Sequence, residues 1–445
     1  MKKGFLFGAA SSAYQIEGAY NEDGKGPSIW DIYVQKEGLV FGGETGNIAC
    51  DHYHRMKEDV ALMKEIGLKA YRFSVAWSRI LPEGTGRINP EGIAFYNRLI
   101  DELIACGIEP YLTLFHWDLP QALFEKGGMS NREFADWFAE YAKVIVENFS
   151  DRVKYYMTIN EPQCIVGGYQ GENRAPGYNL ALAEAIPLIH NMLLAHGKAV
   201  DSMRKYAKQE IKISFASTGF VCIPDTESKE DIDCAKKATF AAIYPHMWWT
   251  SVPLYSDPIM FGSYPSEVIE IYGKYLPEGW EADMPQICRP VDYYCFNYYQ
   301  AGRISAEKGF IKHPQGGKVN SAHWPVTPEG IYWGTKFIYE RYKKPVYISE
   351  NGYSGNDWIS DDGRVHDPYR IDFVRWHLKQ LERAQRDGVD VHGYFYWSIM
   401  DNMEWGDGYK ERFGLIFVDY ETQKRTIKDS GYWYKNLIEE TSRGE

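Results

Sequence analysis

One pattern constrains this chain more than any other. Short apolar runs, rich in β-branched and aromatic residues, recur along it, with stretches of helical periodicity between several of them. The runs are 5–10, 70–77, 109–115, 154–159, 211–216, 291–298, 345–349 and 393–397. Polar residues hardly alternate within them, as expected of strands buried on both faces of a parallel sheet. Met56, Val60, Met63 and Ile66 follow helical spacing, and Gly67 follows them as a stop. Leu99, Leu103 and Ile104 mark another helix, halted at Gly107. Phe134, Phe138, Tyr141 and Ile145 mark a third. Ser130 and Glu133 ahead of that helix have the spacing of a capping box. Eight strand–helix units predict an α/β fold, a single closed (β/α)₈ (TIM) barrel covering residues 1–445 as one domain. A minimal barrel takes about 250 residues, so roughly 200 remain for long loops on the C-terminal face. Residues 221–290 and 300–328 are the chief candidates.

Composition narrows the function. Asp plus Glu number 61 and Lys plus Arg 49, a net charge of −12. Such a chain lacks the basic footprint of a nucleic-acid or anionic-membrane binder. No window nears 18 uninterrupted apolar residues, so no membrane span is expected. The opening MKKGFLFGAASSAYQIEG has an apolar run too short and glycine-broken for a signal peptide. The seven Cys include no CxxC pair, which argues against a disulfide framework or a zinc site and for a reducing cytoplasm. His52 and His54 form an HxH pair where a helix starts, and there they face apart. No GxSxG, HExxH or Walker spacing occurs. No metal or cofactor is expected.

In such a barrel, polar residues ending an apolar strand carry the chemistry. The fourth run ends Thr158-Ile159-Asn160-Glu161-Pro162, and the seventh ends Ile348-Ser349-Glu350-Asn351-Gly352. Each sets a Glu beside an Asn. Strands four and seven lie nearly opposite in an eight-membered ring. That arrangement suits two carboxyls flanking one scissile bond, with an Asn amide donating to a neighbouring sugar hydroxyl. The third run ends Phe115-His116-Trp117, which favours ligand contact by His116. The eighth ends Tyr396-Trp397-Ser398, and a following loop carries Asn402-Met403-Glu404-Trp405. A carboxylate beside indoles can hold a sugar, accepting from two hydroxyls while a ring stacks on C–H faces. The same loop reads equally well as an edge ion pair with stray aromatics. Arg72, buried in the second run, demands a carboxylate. Its partner is either a nucleophilic Glu or a structural acid elsewhere.

These residues resemble those of glycoside hydrolase family 1, the β-glucosidase and β-galactosidase group, over essentially the whole chain. The N-terminal signature stands as Phe5-Leu6-Phe7-Gly8-Ala9-Ala10-Ser11-Ser12-Ala13-Tyr14-Gln15-Ile16-Glu17-Gly18, in order with the two Glu motifs. The resemblance implies Glu161 as general acid/base and Glu350 as nucleophile of a retaining β-glucosidase that acts through a covalent glycosyl–enzyme. It implies a glucose subsite of Gln15, His116, Trp117, Asn160, Trp397, Glu404 and Trp405. Arg72 and Tyr299 would support the nucleophile, with Asn297 and Phe413 nearby and Trp324 as an aglycone platform. The partners implied are small β-glucosides and short β-glucans such as cello-oligosaccharides. Galactosidase, fucosidase and transglycosylation side activities, and the oligomeric state, stay open. Glu404 stands where phospho-β-glycosidases carry Ser, and it would repel a 6-phosphate. Ala216-Ser217-Thr218 and Arg174 depart from common family residues, which bears on the leaving group.

Overall fold

The computed structural model describes residues 1–244 and 247–443. All eight expected strands form. They are β1 (Leu6–Ala10), β2 (Ala70–Ser74), β3 (Glu109–Phe115), β4 (Tyr155–Asn160), β5 (Lys212–Ser217), β6 (Tyr294–Asn297), β7 (Val346–Asn351) and β8 (Val391–Trp397). They close a parallel barrel in the order β1-β8-β7-β6-β5-β4-β3-β2. Closure pairs Leu6 to Ala10 with Gly393 to Trp397, and Gly8 to Ala10 with Ala70 to Arg72. Register irregularities fall near Met157/Asn160 and Ile348/Glu350, where β4 and β7 approach the two Glu.

Helices wrap the barrel as α1 (His52–Ile66), α2 (Pro90–Ala105), α3 (Phe134–Phe149), α4 (Leu182–Tyr206), α5 (Val252–Phe261), α6 (Glu329–Tyr342), α7 (Pro368–Arg386) and α8 (Asp429–Arg443). Gly67 ends α1 at φ +80°, a left-handed conformation that glycine adopts without penalty. Helix α3 buries Phe134, Phe138, Tyr141, Ile145 and Phe149 on one face. At roughly 1.5–3 kcal/mol per side chain, that face rather than helix propensity anchors α3.

Ser130 and Glu133 do not form the expected capping box. Ser130 closes a 3₁₀ turn, Gly128–Ser130, and its N–H bonds Gly127 O. Glu133 is itself the N-cap and makes no side-chain cap bond. Gly127 and Gly128 both have positive φ, so the chain tightens before the helix instead of capping it.

The expected long loops carry structure of their own. Residues 221–290 hold several helices, and strands Val221–Pro224, Ala301–Ser305 and Gly309–Ile311 form a separate three-stranded sheet. The aromatic composition is spent in two places. One core lies between strands and helices. A second fills the barrel interior with Tyr111, Met157, Tyr293 and Phe395, beneath Trp397 and Phe413. Tyr111 stacks on Tyr155 at 4.3 Å there. Among the described residues no helix is long and apolar enough to cross a membrane.

Candidate active site

A cavity of about 1010 Å³ opens where β3, β4, β6, β7 and β8 end. Glu350, in the last turn of β7, is 3% exposed on its wall. Its Oε1 accepts from Arg72 Nη1 at 2.6 Å and its Oε2 from the Tyr299 hydroxyl at 2.8 Å. The carboxylate that buried Arg72 demands is therefore Glu350. Arg72 is held from three further sides. Its Nε donates to Thr113 Oγ1, its Nη1 to Ser349 O and its Nη2 to Asn160 Oδ1. Burial pushes the Glu350 carboxyl up to about 7, and the Arg72 charge opposes that rise. The Glu161 charge adds to it, and the Tyr299 and Arg72 hydrogen bonds pull it down.

Glu161 follows β4 immediately and takes a left-handed φ of +46° ahead of Pro162. Its N–H bonds Ala216 O at 2.8 Å. Its Oε1 accepts from Asn297 Nδ2 at 2.9 Å, and the same amide reaches Asn160 Oδ1 at 3.1 Å. The two carboxyls are thus joined through neutral amides and one guanidinium, in the order Glu161, Asn297, Asn160, Arg72, Glu350. Glu350 receives one charged and one neutral donor, while Glu161 receives a neutral one. The charged donor on Glu350 favours its anionic form and works against the rise that burial imposes.

The opposite wall is aromatic and acidic. Trp117 and Trp405 contact at 4.6 Å, and His116 stacks on Trp397 at 5.7 Å. His116 is buried beside Arg72, and both effects hold its pKa well below the ordinary value. The neutral ring accepts from Asn160 Nδ2 on Nε2, which leaves Nδ1 as a buried donor without a protein partner. Burial also pushes the Glu404 carboxyl up, to about 8, against the pull of Arg174. Three wall residues, Trp117, Glu161 and Trp405, have positive φ. Such backbone persists in bulky residues only where surrounding contacts enforce it, and it clusters at functional sites.

Every expected site residue lines the cavity except Gln15, Asn160 and Arg72. Each of those three hydrogen-bonds a residue that does line it, Gln15 to Glu404, Asn160 to His116 and Arg72 to Glu350. Gln15 Nε2 bonds Asn402 Oδ1, Met403 O and, at 3.4 Å, Glu404 Oε2. The loop 402–405 is therefore tied to the N-terminal signature rather than to an edge ion pair. Trp324, Tyr299 and Phe413 pack within about 6 Å of one another at the outer side.

Sequence reading missed much of that outer wall. Phe220, Trp249 and Trp376 line it. Trp249 Nε1 donates to Glu172, the ion-pair partner of Arg174. None of these follows a barrel strand directly, so no strand-end rule marks them. His52 and His54 bond different acids, Asp59 and Asp51. Among the described residues no group of His, Cys, Asp and Glu can hold a metal.

Comparison with known proteins agrees with this geometry. The model of glycosyl hydrolase family 1 matches residues 1–443. Beta-glucosidase A of Thermotoga maritima is 46% identical over 98% of this chain and 97% of its own length. A 1,4-beta-D-glucan glucohydrolase of Thermotoga neapolitana is also 46% identical, over 98% of both. A solved Thermotoga maritima beta-glucosidase in complex with deoxynojirimycin superposes with a TM-score of 0.90, at 43% identity and 99% coverage of both chains. A full-length family match and relatives at this identity make the assignment plain: the chain belongs to glycosyl hydrolase family 1.

Proposed function

We propose that this glycoside hydrolase is a retaining β-glucosidase acting on aryl and alkyl β-glucosides and short β-glucans. The observation that carries the reading is the unequal support of two buried carboxyls beside one cavity. Glu350, held by the Arg72 cation and the Tyr299 hydroxyl, is positioned as the nucleophile. Glu161, bonded by an amide, is suited to exchange a proton.

In the first step a Glu350 oxygen attacks the anomeric carbon. Glu161 gives its proton to the departing glycosidic oxygen. The product is a glucosyl ester of Glu350 with inverted configuration. The negative charge of Glu350 is then gone, and Glu161, now ionised, takes a proton from water. That water attacks the anomeric carbon and expels Glu350, releasing β-glucose and restoring both groups. Asn160 supplies an amide to the sugar hydroxyl beside the reacting carbon. Gln15 and Glu404 take hydroxyls on the far edge of the ring, and Trp397 and Trp405 cover its faces. No step calls for a cofactor.

A relative at 39% identity is named an aryl-phospho-beta-D-glucosidase, of Bacillus subtilis. Glu404 in the cavity wall disfavours a phosphorylated glycone here. The test is release of p-nitrophenol from p-nitrophenyl β-glucopyranoside near pH 6 with EDTA present. Turnover is expected. Turnover of only the 6-phosphoglucoside would overturn the reading of Glu404.

A further inference from the structure

The two ends of the cavity carry different charge. Glu161, Glu350 and Glu404 sit at the closed end. At the open end, Arg303, Lys312 and Lys318 line the wall, and both lysines are exposed. Among the described residues these three cations make no ion pair. Arg303 Nη1 donates to Pro224 O at 3.1 Å, and Lys318 Nζ lies 4.6 Å over the Trp376 ring. Glu329 is the acid beside them, also without an ion pair among the described residues. Three unpaired cations against one acid make this mouth locally positive, on a chain whose net charge is −12. Arg174 stands further in, balanced by Glu172.

Phe220, Trp249, Trp324 and Trp376 add apolar aromatic surface to the same cavity. The volume, about 1010 Å³, is at the upper limit for a drug-sized ligand, so a glucosyl unit leaves most of it to the leaving group. Low-dielectric aromatic walls below a ring of one charge sign focus its field into the cleft.

We propose that the outer half of this cavity selects leaving groups with a flat apolar body and an anionic tail, carboxylated aryl glucosides above all. The aryl ring lies against Trp324 and its neighbours. The carboxylate meets Lys312, Lys318 and Arg303 at the mouth. This selectivity rests on the β-glucosidase reading and adds the substrate class to it.

The test compares 4-(carboxymethyl)phenyl β-glucoside with its 4-(carbamoylmethyl)phenyl analogue. The methylene keeps the two phenols close in leaving ability, so charge is the variable. A kcat/KM ratio of about fivefold in favour of the acid is expected at low ionic strength, falling toward one at high salt. The Lys312→Gln/Lys318→Gln double variant, made at exposed positions that do not threaten folding, should lose most of the ratio. A ratio of one or less, or one that salt and the double variant leave unchanged, would overturn the proposal. Because the overall charge is negative, a rate for the acid that rises with salt would show the global field winning and also overturn it. Hydrolysis of the neutral analogue reports on the β-glucosidase reading separately. Failure there removes the parent reading, whereas neutral turnover without preference removes only the anionic selectivity.

Discussion

The floor and the mouth of the cavity are built by different means. At the floor, Arg72, Asn160, Glu161, Asn297 and Glu350 leave a barrel strand or the residue after it, and each is bonded by a residue of another strand. Arg72 of β2 reaches Thr113 of β3, Asn160 of β4 and Glu350 of β7. At the mouth, most residues come from the connections after β5 and β6, with Trp376 added from α7, and among the described residues Lys312, Lys318 and Arg303 make no ion pair. A network in which every member bonds several others fixes positions closely and tolerates little change. A wall of aromatic faces and unpaired lysines can change composition without disturbing the barrel. The proposed chemistry thus rests on the strand ends, and the proposed choice of leaving group on the outer wall.

Variants at the floor should break this division most visibly. Glu350→Ala removes the proposed nucleophile, and a loss of at least about 10⁴-fold in kcat is expected. Azide should restore turnover and yield the α-glucosyl azide, read by NMR. A β-azide would reverse the roles of the two carboxyls. Glu161→Gln removes the proposed proton donor, and a loss of about 10²–10⁴-fold is expected for alkyl glucosides. Substrates with highly acidic phenols should be largely spared, and equal losses on both would remove the acid role. The same variant has a signed effect on pH dependence. The charge of Glu161 helps hold the Glu350 carboxyl high, near 7. A neutral amide takes that push away, so Glu350 ionises at lower pH. The acidic limb of kcat/KM, measured with an activated aryl glucoside, should move down. An upward shift would contradict the coupling.

Arg72 tests the network itself. Arg72→Met leaves Glu350 buried without its cation, a loss of about 3–5 kcal/mol in stability if the carboxyl stays charged. Protonation relieves that cost. The expected result is a smaller fall in thermal midpoint at low pH than at high pH. The sign follows because Arg72 lowers the Glu350 pKa, so its removal raises it. A stability loss independent of pH would assign Arg72 a packing role only.

The floor was also the part most legible in the sequence, for the same physical reason. Strands buried on both faces show as unbroken apolar runs, so a Glu at the end of one is conspicuous. Glu161 and Glu350 could be singled out that way. The partner of Arg72 could not, since Glu350 lies 278 positions away and only barrel closure unites them. The tie between Gln15 and residues 402 and 403 spans still more, 387 and 388 positions. The failed cap at Ser130 is a local error of the same kind. Its spacing fitted, but two left-handed glycines set the backbone. The mouth was least legible because Phe220, Trp249 and Trp376 answer to no period. Phe220 and Trp249 are placed by the fold of an insertion whose length alone was apparent, and Trp376 by a barrel helix.

Trp324 sits where the two regions touch, and so gives the finest test. It packs at 5.5 Å against Tyr299 and at 5.9 Å against Phe413. If it is only a platform, Trp324→Ala should lower kcat/KM for aryl glucosides by about tenfold, the loss of one aromatic contact of roughly 1–1.5 kcal/mol. Methyl β-glucoside, with no ring to stack, should change little. Should both substrates lose equally, the cause would be movement of Tyr299, whose hydroxyl donates to Glu350. The pH profile separates the two cases. The Tyr299 bond holds the Glu350 pKa down, so losing it would carry the acidic limb upward. A lost platform leaves that limb in place. An unchanged limb with selective aryl loss would thus keep floor and mouth as separate regions, and a shifted limb would make Trp324 part of the floor.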